Sequence, residues 1–264
     1  MNRFAVATIL CLATGPFTPD SARAAGLPLD PSQFSNLANL LDPVLVSSAV
    51  RTVGGLADHR PYDPVTIQAE RGLGFELGLE ATLVKVPPDF TASLIRAGIS
   101  SPNSIPPALP MPKLHIRKSL GDAFSVGVSG IFVNSYKIIG GDAKIVLSAP
   151  EEGVSWGLRL AYSSAELGFV KTRTWSPQLL ISKSLEFAEP YLGTGWQFIN
   201  GSISLDADIM GIPFQASRDA TLNQFFAFMG LMIRPTSTGL LLAVEGSYNH
   251  GGTSTLGAKV GLAF

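Results

Sequence analysis

The chain has 264 residues, of which 46% are hydrophobic and only 15% are charged, against about 25% in ordinary soluble proteins. Its 19 basic and 20 acidic residues give a formal net charge of −1, so no basic surface for nucleic acid is expected. A helical membrane protein is excluded as well, because the longest apolar stretch after the first residues, Phe225 to Ile233, falls far short of the roughly 20 residues that a helical span needs.

The first 24 residues have the features of an export signal. Arg3 is followed by an apolar run from Phe4 to Thr14, and Ala22-Arg23-Ala24 fits the small-x-small rule for cleavage before Ala25. We therefore predict a signal peptide over residues 1–24. The single cysteine, Cys11, lies within it, so the mature chain is expected to have no thiol and no disulfide.

Residues 25–71 do not alternate, and they form a separate N-terminal segment in the predicted domain organisation. Their apolar residues are spaced as in one or two short amphipathic helices with a start near Asp30: Phe34, Leu37, Leu40, Leu41, Val44, Leu45 and Val50. The stretch from His59 to Pro64 is predicted to be an extended lead-in. A periplasmic cap or linker is the favoured interpretation of the segment, and a plug inside a barrel is the alternative.

Residues 72–264 alternate apolar and small or polar side chains, which predicts about ten strands, within a range of 8 to 12. In the clearest strand, Trp156, Leu158 and Leu160 face one side and Gly157, Arg159 and Ala161 the other. Phe226 and Phe228 are expected to point inward. The predicted strands cover 73–85, 112–120, 123–134, 137–149, 153–164, 174–185, a stretch from 191, 222–234, a stretch from 240, and 254–264.

The connections between these strands also alternate. Turns near residues 121, 150–153, 186–189 and 235–239 are short, whereas the connections 86–111 and 201–220 are long, and the first of these contains a predicted helix over residues 89–98. Short turns at one end and long loops at the other are typical of bacterial barrels with both termini in the periplasm. The predicted fold is therefore all-β, a single antiparallel up-and-down transmembrane β-barrel. A soluble β-sandwich shares the alternation and is the competing fold.

The final strand resembles the closing strand of bacterial outer-membrane barrels. Its apolar face carries Leu256, Val260, Leu262 and Phe264, and the resemblance implies that these four residues are a recognition signal for the barrel-assembly machinery. The stretches Pro61 to Pro64, Gly74 to Gly78 and Pro112 to Lys118 look similar to uncharacterised outer-membrane barrel proteins of Gram-negative bacteria. That resemblance implies an outer-membrane location, among outer-membrane lipid and lipopolysaccharide, and no established activity.

Charged side chains are predicted on the inner wall. Closure of an up-and-down barrel pairs the last strand with the first, which brings acidic and basic residues together in a belt. They either neutralise one another or line a narrow water path. The predicted belt consists of Glu76, Glu80, His115, Arg117, Arg159, Glu245 and Lys259, and Asp142 and Lys144 form a neighbouring pair.

The leading functional prediction is a small passive pore or solute-uptake channel, with small solutes as its partners, and not an enzyme. A structural or adhesion-type barrel acting through its external loops is the first alternative. A lipid hydrolase at the rim, using His250 near Ser254, is the second, although a turn residue is the better interpretation of His250. No catalytic residue and no cofactor are predicted. No metal site is predicted either, because His59 and His115 have no metal-ligand spacing along the chain.

Overall fold

Ten antiparallel strands, each paired with its neighbours in sequence, form a closed barrel. The computed structural model describes residues 41–67, 73–96, 107–133, 136–150, 153–209, 212–235 and 239–264. The predicted signal peptide and the predicted helix start near Asp30 lie outside these residues. The strands are β1 (Phe75–Lys85), β2 (Ala108–Ser119), β3 (Phe124–Val133), β4 (Tyr136–Ser148), β5 (Ser155–Leu167), β6 (Val170–Ser182), β7 (Ala188–Ile209), β8 (Ile212–Ile233), β9 (Leu240–Asn249) and β10 (Ser254–Ala263).

The seam between β1 and β10 closes the barrel, as the alternation predicts. Leu79 lies opposite Val260 on the outer face, and Glu80 lies opposite Lys259 on the inner face. Beyond the register, the backbone of Phe264 exchanges hydrogen bonds with that of Phe75, each at 2.9 Å. Closure leaves no free sheet edge at the seam, which is the condition for a sheet to lie in lipid. The predicted up-and-down barrel is confirmed.

The outer face of the barrel is apolar around its circumference. Large apolar side chains that would be buried in a soluble protein are exposed on all ten strands, for example Leu79, Leu114, Val128, Ile145, Leu158, Trp175, Leu192, Met229, Val244 and Val260. Exposed apolar surface of this extent is stable only in contact with lipid or with a partner. The strands, which point every second side chain outward, are therefore the membrane-spanning elements. No helix in the described part of the chain has the length and apolarity to cross a bilayer.

The two ends of the barrel differ. The turn end carries the connections 120–123, 149–154, 183–187 and 234–239, together with Phe264. The loop end carries the connection 86–107, which includes helix α2 (Pro88–Arg96) as the sequence predicts. It also carries the β7–β8 hairpin, in which both strands are 22 residues long.

The predicted long loop 201–220 is wrong, because residues 201–209 belong to β7 and residues 212–220 to β8. The two strands remain in register to the pair of Ile209 with Ile212, whereas β6 pairs with β7 only as far as Ile203. The hairpin therefore projects beyond its neighbours at the loop end. Its glycine, serine and aspartate content suggests a loop, but Ile203, Leu205, Ala207 and Ile209 alternate with polar residues, which is the strand signal.

The N-terminal segment lies inside the barrel where the structure describes it, and not in the periplasmic position that the sequence analysis favours. Helix α1 (Pro43–Ala57) is capped by Asp42, whose side chain accepts a hydrogen bond from the Val44 amide at 3.3 Å. Arg51 is its only charged residue, and eleven of its residues are buried. A helix that is apolar nearly all round needs a protein surface on every side. The interior of the barrel supplies that surface.

The segment runs through the lumen from the loop end to the turn end. At the loop end, the carbonyl of Leu41 accepts a hydrogen bond from Arg218 at 3.0 Å. Halfway down, Gln197 donates to Asp58 at 2.5 Å. At the turn end, Thr66 donates to Glu189 at 2.6 Å. Residues 43–66, the lumen segment hereafter, therefore occupy the barrel along its axis.

Candidate functional site: the occupied lumen

All seven residues of the predicted charge belt point into the barrel. Glu80, His115, Arg117, Arg159, Glu245 and Lys259 are buried, and the side chain of Glu76 is 14% exposed. They lie on β1, β2, β5, β9 and β10. Lys259 donates to Glu76 at 2.7 Å across the closing seam. Part of the predicted mutual neutralisation of the belt therefore takes place within the wall itself.

The lumen segment supplies the partners that the strand pattern does not reveal. Asp63 lies among three cations of the wall: Arg159 at 3.0 Å, Arg117 at 3.2 Å, and Lys144, with which it forms a short ion pair. Lys144 also donates to the carbonyl of Pro64 at 2.6 Å. A single carboxylate therefore holds three strands, β2, β4 and β5, to the lumen segment.

Asp58 and Arg60 make a second set of contacts, closer to the loop end of the lumen. Arg60 donates to Asp58 at 2.6 Å, and Lys113 donates to the carbonyl of Asp58 at 2.8 Å. Arg60 also bonds to Ser247 and to Thr255. Both side chains are only 2% exposed, so each contact replaces water that the buried charge has lost.

The buried charges balance. Besides the pair of Glu189 with Arg234 at 2.9 Å, six acidic and six basic side chains meet in the middle and the turn-end half of the lumen, and we refer to these twelve as the charge cluster. A buried charge is costly unless it is paired, and the removal of one partner from such a set is strongly destabilising. The set consists of Asp58, Asp63, Glu76, Glu80, Asp142 and Glu245 with Arg60, Lys113, Arg117, Lys144, Arg159 and Lys259.

The loop-end half of the wall has apolar side chains on β1, β2, β4, β5, β6 and β7, together with uncharged polar ones such as Thr172, Thr174 and Asn249. Its apolar side chains pack against Leu45, Val46, Ala49, Val50 and Val53 of α1 in one buried cluster. Gly54 allows close approach, because a Cβ there would lie 2.8 Å from Ile199. We call this ring of wall residues the apolar collar: Val84, Leu109, Met111, Ile138, Ala165, Leu167, Val170, Ile199 and Ile203.

Cavities beside the lumen segment are small. One at the turn end, lined by Asp63, Arg117 and Lys144 among others, has a volume of about 20 Å³. One beneath α1, lined by Leu45, Val53 and Leu109 among others, has a volume of about 20 Å³ as well. Each has room for a single water. Neither cavity has space for a solute.

Two histidines that lie far apart in the sequence come together beside the charge cluster. The rings of His59 and His115 are 5.9 Å apart. His59 Nε2 lies 2.7 Å from Asp142 Oδ1, and His59 Nδ1 lies 2.7 Å from Ser129 Oγ. Spacing along the chain gives no sign of this group, because only the course of the lumen segment brings His59 to the wall.

The row of Ser129, His59 and Asp142 has the residue types of a hydrolase triad, yet it does not have the access that catalysis needs. The side chains of His59 and Asp142 are fully buried, and Ser129 is 6% exposed. A nucleophile must meet its substrate carbonyl at about 3 Å. The packing around the row leaves no room for one.

His250, the histidine of the predicted rim hydrolase, lies at the loop end of the barrel. His250 is exposed in the turn between β9 and β10, and its backbone amide donates to the carbonyl of Phe225 at 2.9 Å. Within the described ranges it takes part in no ion pair. The interpretation of His250 as a turn residue agrees with this geometry.

The four residues of the predicted assembly signal lie on the outer face. Leu256, Val260, Leu262 and Phe264 are 58%, 54%, 52% and 52% exposed. The ring of Phe264 stacks on that of Phe75, with the centroids 6.4 Å apart. The group forms one lipid-facing stripe that ends at the closing seam.

No protein-family model matches the chain, and no curated protein is similar to it. Among solved structures, the outer membrane protease OmpT from Escherichia coli has a TM-score of 0.44 at 11% identity, over 79% of this chain and 100% of that chain. The KdgM porin in complex with oligogalacturonate has a TM-score of 0.38 at 9% identity, over 72% and 99%. Omp33 from Acinetobacter baumannii has a TM-score of 0.33 at 8% identity, over 76% and 100%. At these scores the role has to be argued from the residues of this chain.

Proposed function

We propose that this protein is a barrel of the bacterial outer membrane whose lumen is permanently filled by its own N-terminal segment, and that it acts as a structural or adhesion-type barrel through its loop end. Outer-membrane lipid and lipopolysaccharide are its expected surroundings, and the barrel-assembly machinery is its expected partner during insertion. This function is preferred to a passive pore, which is the leading prediction from the sequence.

The match between α1 and the apolar collar carries the proposal. A water-filled pore needs a polar inner wall, whereas Ile138, Ile199 and Ile203 point inward at the loop end and are almost fully buried against α1. Each fully buried side chain of this size stabilises the packed state by about 1.5–3 kcal/mol. Displacement of the helix would lose these contributions together and expose apolar surface on both partners.

The loop end offers the surface through which such a barrel can act. The β7–β8 hairpin projects past β6 and β9, because the pairing of β9 with β8 ends at the pair of Phe226 with Asn249. A projecting two-stranded ribbon presents unpaired backbone groups on both edges, and such edges are a common means of binding an extended segment of another protein. Helix α2 lies at the same end, packed against α1.

Solute flux through the full mature chain tests the proposal. The purified protein is refolded into liposomes and into planar bilayers, and folded material is identified by its heat-modifiable migration on gels. We expect no steady ion conductance and no swelling with small sugars or amino acids. Regular open-channel currents from the wild-type protein, at moderate voltage and neutral pH, would refute the proposal of a filled barrel.

A gated channel is the second candidate, and the charge cluster favours it. Buried ion networks are often no more stabilising than apolar packing of the same volume, so a charged inner wall suggests a state in which Glu80, Arg117 and Lys259 meet water. Asp63→Lys places a fourth cation among three and is expected to displace the lower part of the lumen segment. Currents in this variant but not in the wild type would support a gate. A silent, folded variant would leave the filled barrel as the better account.

A further inference from the structure

We propose that His59, His115 and Asp142 form a binding site for a divalent transition-metal ion of the zinc type. One nitrogen from each histidine and one carboxylate oxygen lie within 4.8 Å of one another, and all three residues are buried. Imidazole and carboxylate are the ligands that zinc takes in proteins, at about 2.0–2.2 Å. Because His59 belongs to the lumen segment and the other two residues to β2 and β4, the ion would fasten the segment to the wall.

Both rings are oriented as metal ligands usually are. His59 Nδ1 lies 2.7 Å from Ser129 Oγ, and its Nε2 faces Asp142. His115 Nδ1 lies 3.1 Å from Glu80 Oε1. In metal sites, the non-ligating ring nitrogen commonly faces a carboxylate or another oxygen, which fixes the ring and its tautomer. Here that arrangement leaves His115 Nε2 for the ion and points His59 Nε2 at the carboxylate that would share the ion.

The second histidine has unused bonding capacity. Neither ring nitrogen of His115 and neither carboxylate oxygen of Glu80 has a hydrogen-bond partner, although both side chains are completely buried. Buried polar groups in native proteins are almost always satisfied, and an exception points to a missing ion or water. An ion at His115 Nε2 would satisfy that atom. A small rotation of the ring would then align Nδ1 with Glu80.

Gly127 on β3 keeps the edge of the site free of a side chain. A Cβ at this position would collide with Asp142 Oδ1 and would lie 3.0 Å from His115 Nε2 and 3.2 Å from Arg117 Nη2. Two of the proposed ligand atoms therefore converge on the place that a side chain would otherwise fill. The donor atoms, which lie within 4.8 Å of one another, would have to move closer together to reach the ligand distance of about 2.0–2.2 Å around one ion.

Arg117 is the competing cation at this site. It lies 3.1 Å from Asp142 Oδ1 and 3.2 Å from Asp142 Oδ2. If Oδ1 binds the ion, Oδ2 keeps its bond to Arg117, and the aspartate serves as a one-oxygen ligand held by its second oxygen. Metal ligands bind in their deprotonated forms, so we expect the affinity for the ion to fall as the pH is lowered.

Metal titration of the untagged, mature chain tests the proposal. The barrel is refolded in detergent, stripped with a chelator and titrated calorimetrically with Zn²⁺, and Co²⁺ is used in parallel for its visible absorption. We expect one ion per chain. His59→Ala and His115→Gln are each expected to weaken binding at least about a hundredfold. Glu80→Gln, which removes the carboxylate beside the His115 ring and one charge of the cluster, should weaken binding about tenfold in material that is folded on gels.

The third histidine provides the matched control. His250 lies in the turn between β9 and β10, outside the site, so His250→Ala should bind Zn²⁺ as the wild type does. Gly127→Ala keeps every ligand but fills the space between them, and it should also lose the ion while it remains folded on heat-modifiability gels. Absence of stoichiometric binding to the wild type would overturn the proposal. Unchanged affinity in folded His115→Gln would overturn it as well.

Discussion

Asp63 of the lumen segment lies 3.0 Å from Arg159 of β5, and the two residues are 96 positions apart in the sequence. Arg117 and Lys144 contact the same carboxylate from two other strands. The aspartate is therefore the point at which the lumen segment is tied to the wall by charge. The predicted belt lacks this carboxylate because Asp63 lies on the lumen segment and not on a strand.

Asp63→Asn should destabilise the barrel strongly. The variant leaves three cations without their shared anion in a buried site, and the removal of one partner from such a group costs about 3–5 kcal/mol. Urea unfolding of the refolded protein in detergent, followed by tryptophan fluorescence, measures the loss. Glu166→Gln is the matched control. Glu166 pairs with Lys171 at 3.6 Å on the surface, where both side chains are more than half exposed. An exposed ion pair of this kind contributes at most about 1 kcal/mol to stability. Equal unfolding midpoints for Asp63→Asn and the wild type would contradict the account.

Gly257→Val should disturb the lumen segment, because a Cβ at Gly257 would overlap the ring of Tyr62. Overpacking of a filled interior costs about 1–3 kcal/mol. The expected result is a lower thermal unfolding temperature, measured by the loss of heat-modifiable migration. Gly246→Val is the control on the neighbouring strand, where an added Cβ meets no atom within 4 Å. If the two variants melt alike, Tyr62 does not pack against β10.

Val44→Cys should react with a membrane-impermeant maleimide on intact cells. Val44 is 51% exposed at the start of α1, at the loop end, which faces outward in bacterial barrels. The expected control is Glu186→Cys, in a turn-end connection, which should react only after the outer membrane is opened. Protection of Val44→Cys together with labelling of Glu186→Cys would reverse the assigned orientation. The wild-type chain serves as the blank, since its single cysteine lies in the predicted signal peptide.

The strands were predictable because lipid and interior impose a period of two on every strand that separates them. Predicted and observed boundaries agree closely for β1, β3, β4 and β10. The inward position of Phe226 and Phe228, both of which are buried, was also predictable from the two apolar faces of β8. The β7–β8 extension is harder to predict, because its glycine, serine and aspartate residues favour a loop while its apolar residues alternate as in a strand.

The course of the lumen segment could not be predicted in the same way. Alternation specifies which side of a strand faces inward, but it contains no information about what fills the interior. The uncommon lack of charge in α1, where Arg51 stands alone among 15 residues, was the available signal. The meeting of His59 with His115 followed only from the path of the chain, because residues on a segment and on a wall share no sequence period.

Phe264→Ala should lower the amount of protein in the outer membrane if the lipid-facing stripe of β10 is an assembly signal. Folding of the purified variant in detergent should change little, since the backbone hydrogen bonds between Phe264 and Phe75 remain. The amount of protein in the membrane reports recognition by the assembly machinery, whereas the refolding yield of the purified variant reports closure of the barrel. Val244→Ala, another exposed outward residue of a neighbouring strand, should affect neither. A loss of refolding yield that matches the loss in cells would assign Phe264 to closure alone.

Disulfide trapping tests the presence of α1 inside the barrel most directly. A Cβ at Gly55 would lie 3.7 Å from Thr253 Cγ2, in the turn between β9 and β10. The two side chains are therefore in contact, and a small movement brings their Cβ atoms to the roughly 3.5–4.5 Å that a disulfide bridges. The double variant Gly55→Cys/Thr253→Cys is oxidised in the folded state and its peptides are mapped by mass spectrometry. We predict a bond between positions 55 and 253, and none in Gly55→Cys/Ser182→Cys, whose second position lies at the turn end. Two free thiols in the folded, oxidised Gly55→Cys/Thr253→Cys barrel would contradict the filled lumen.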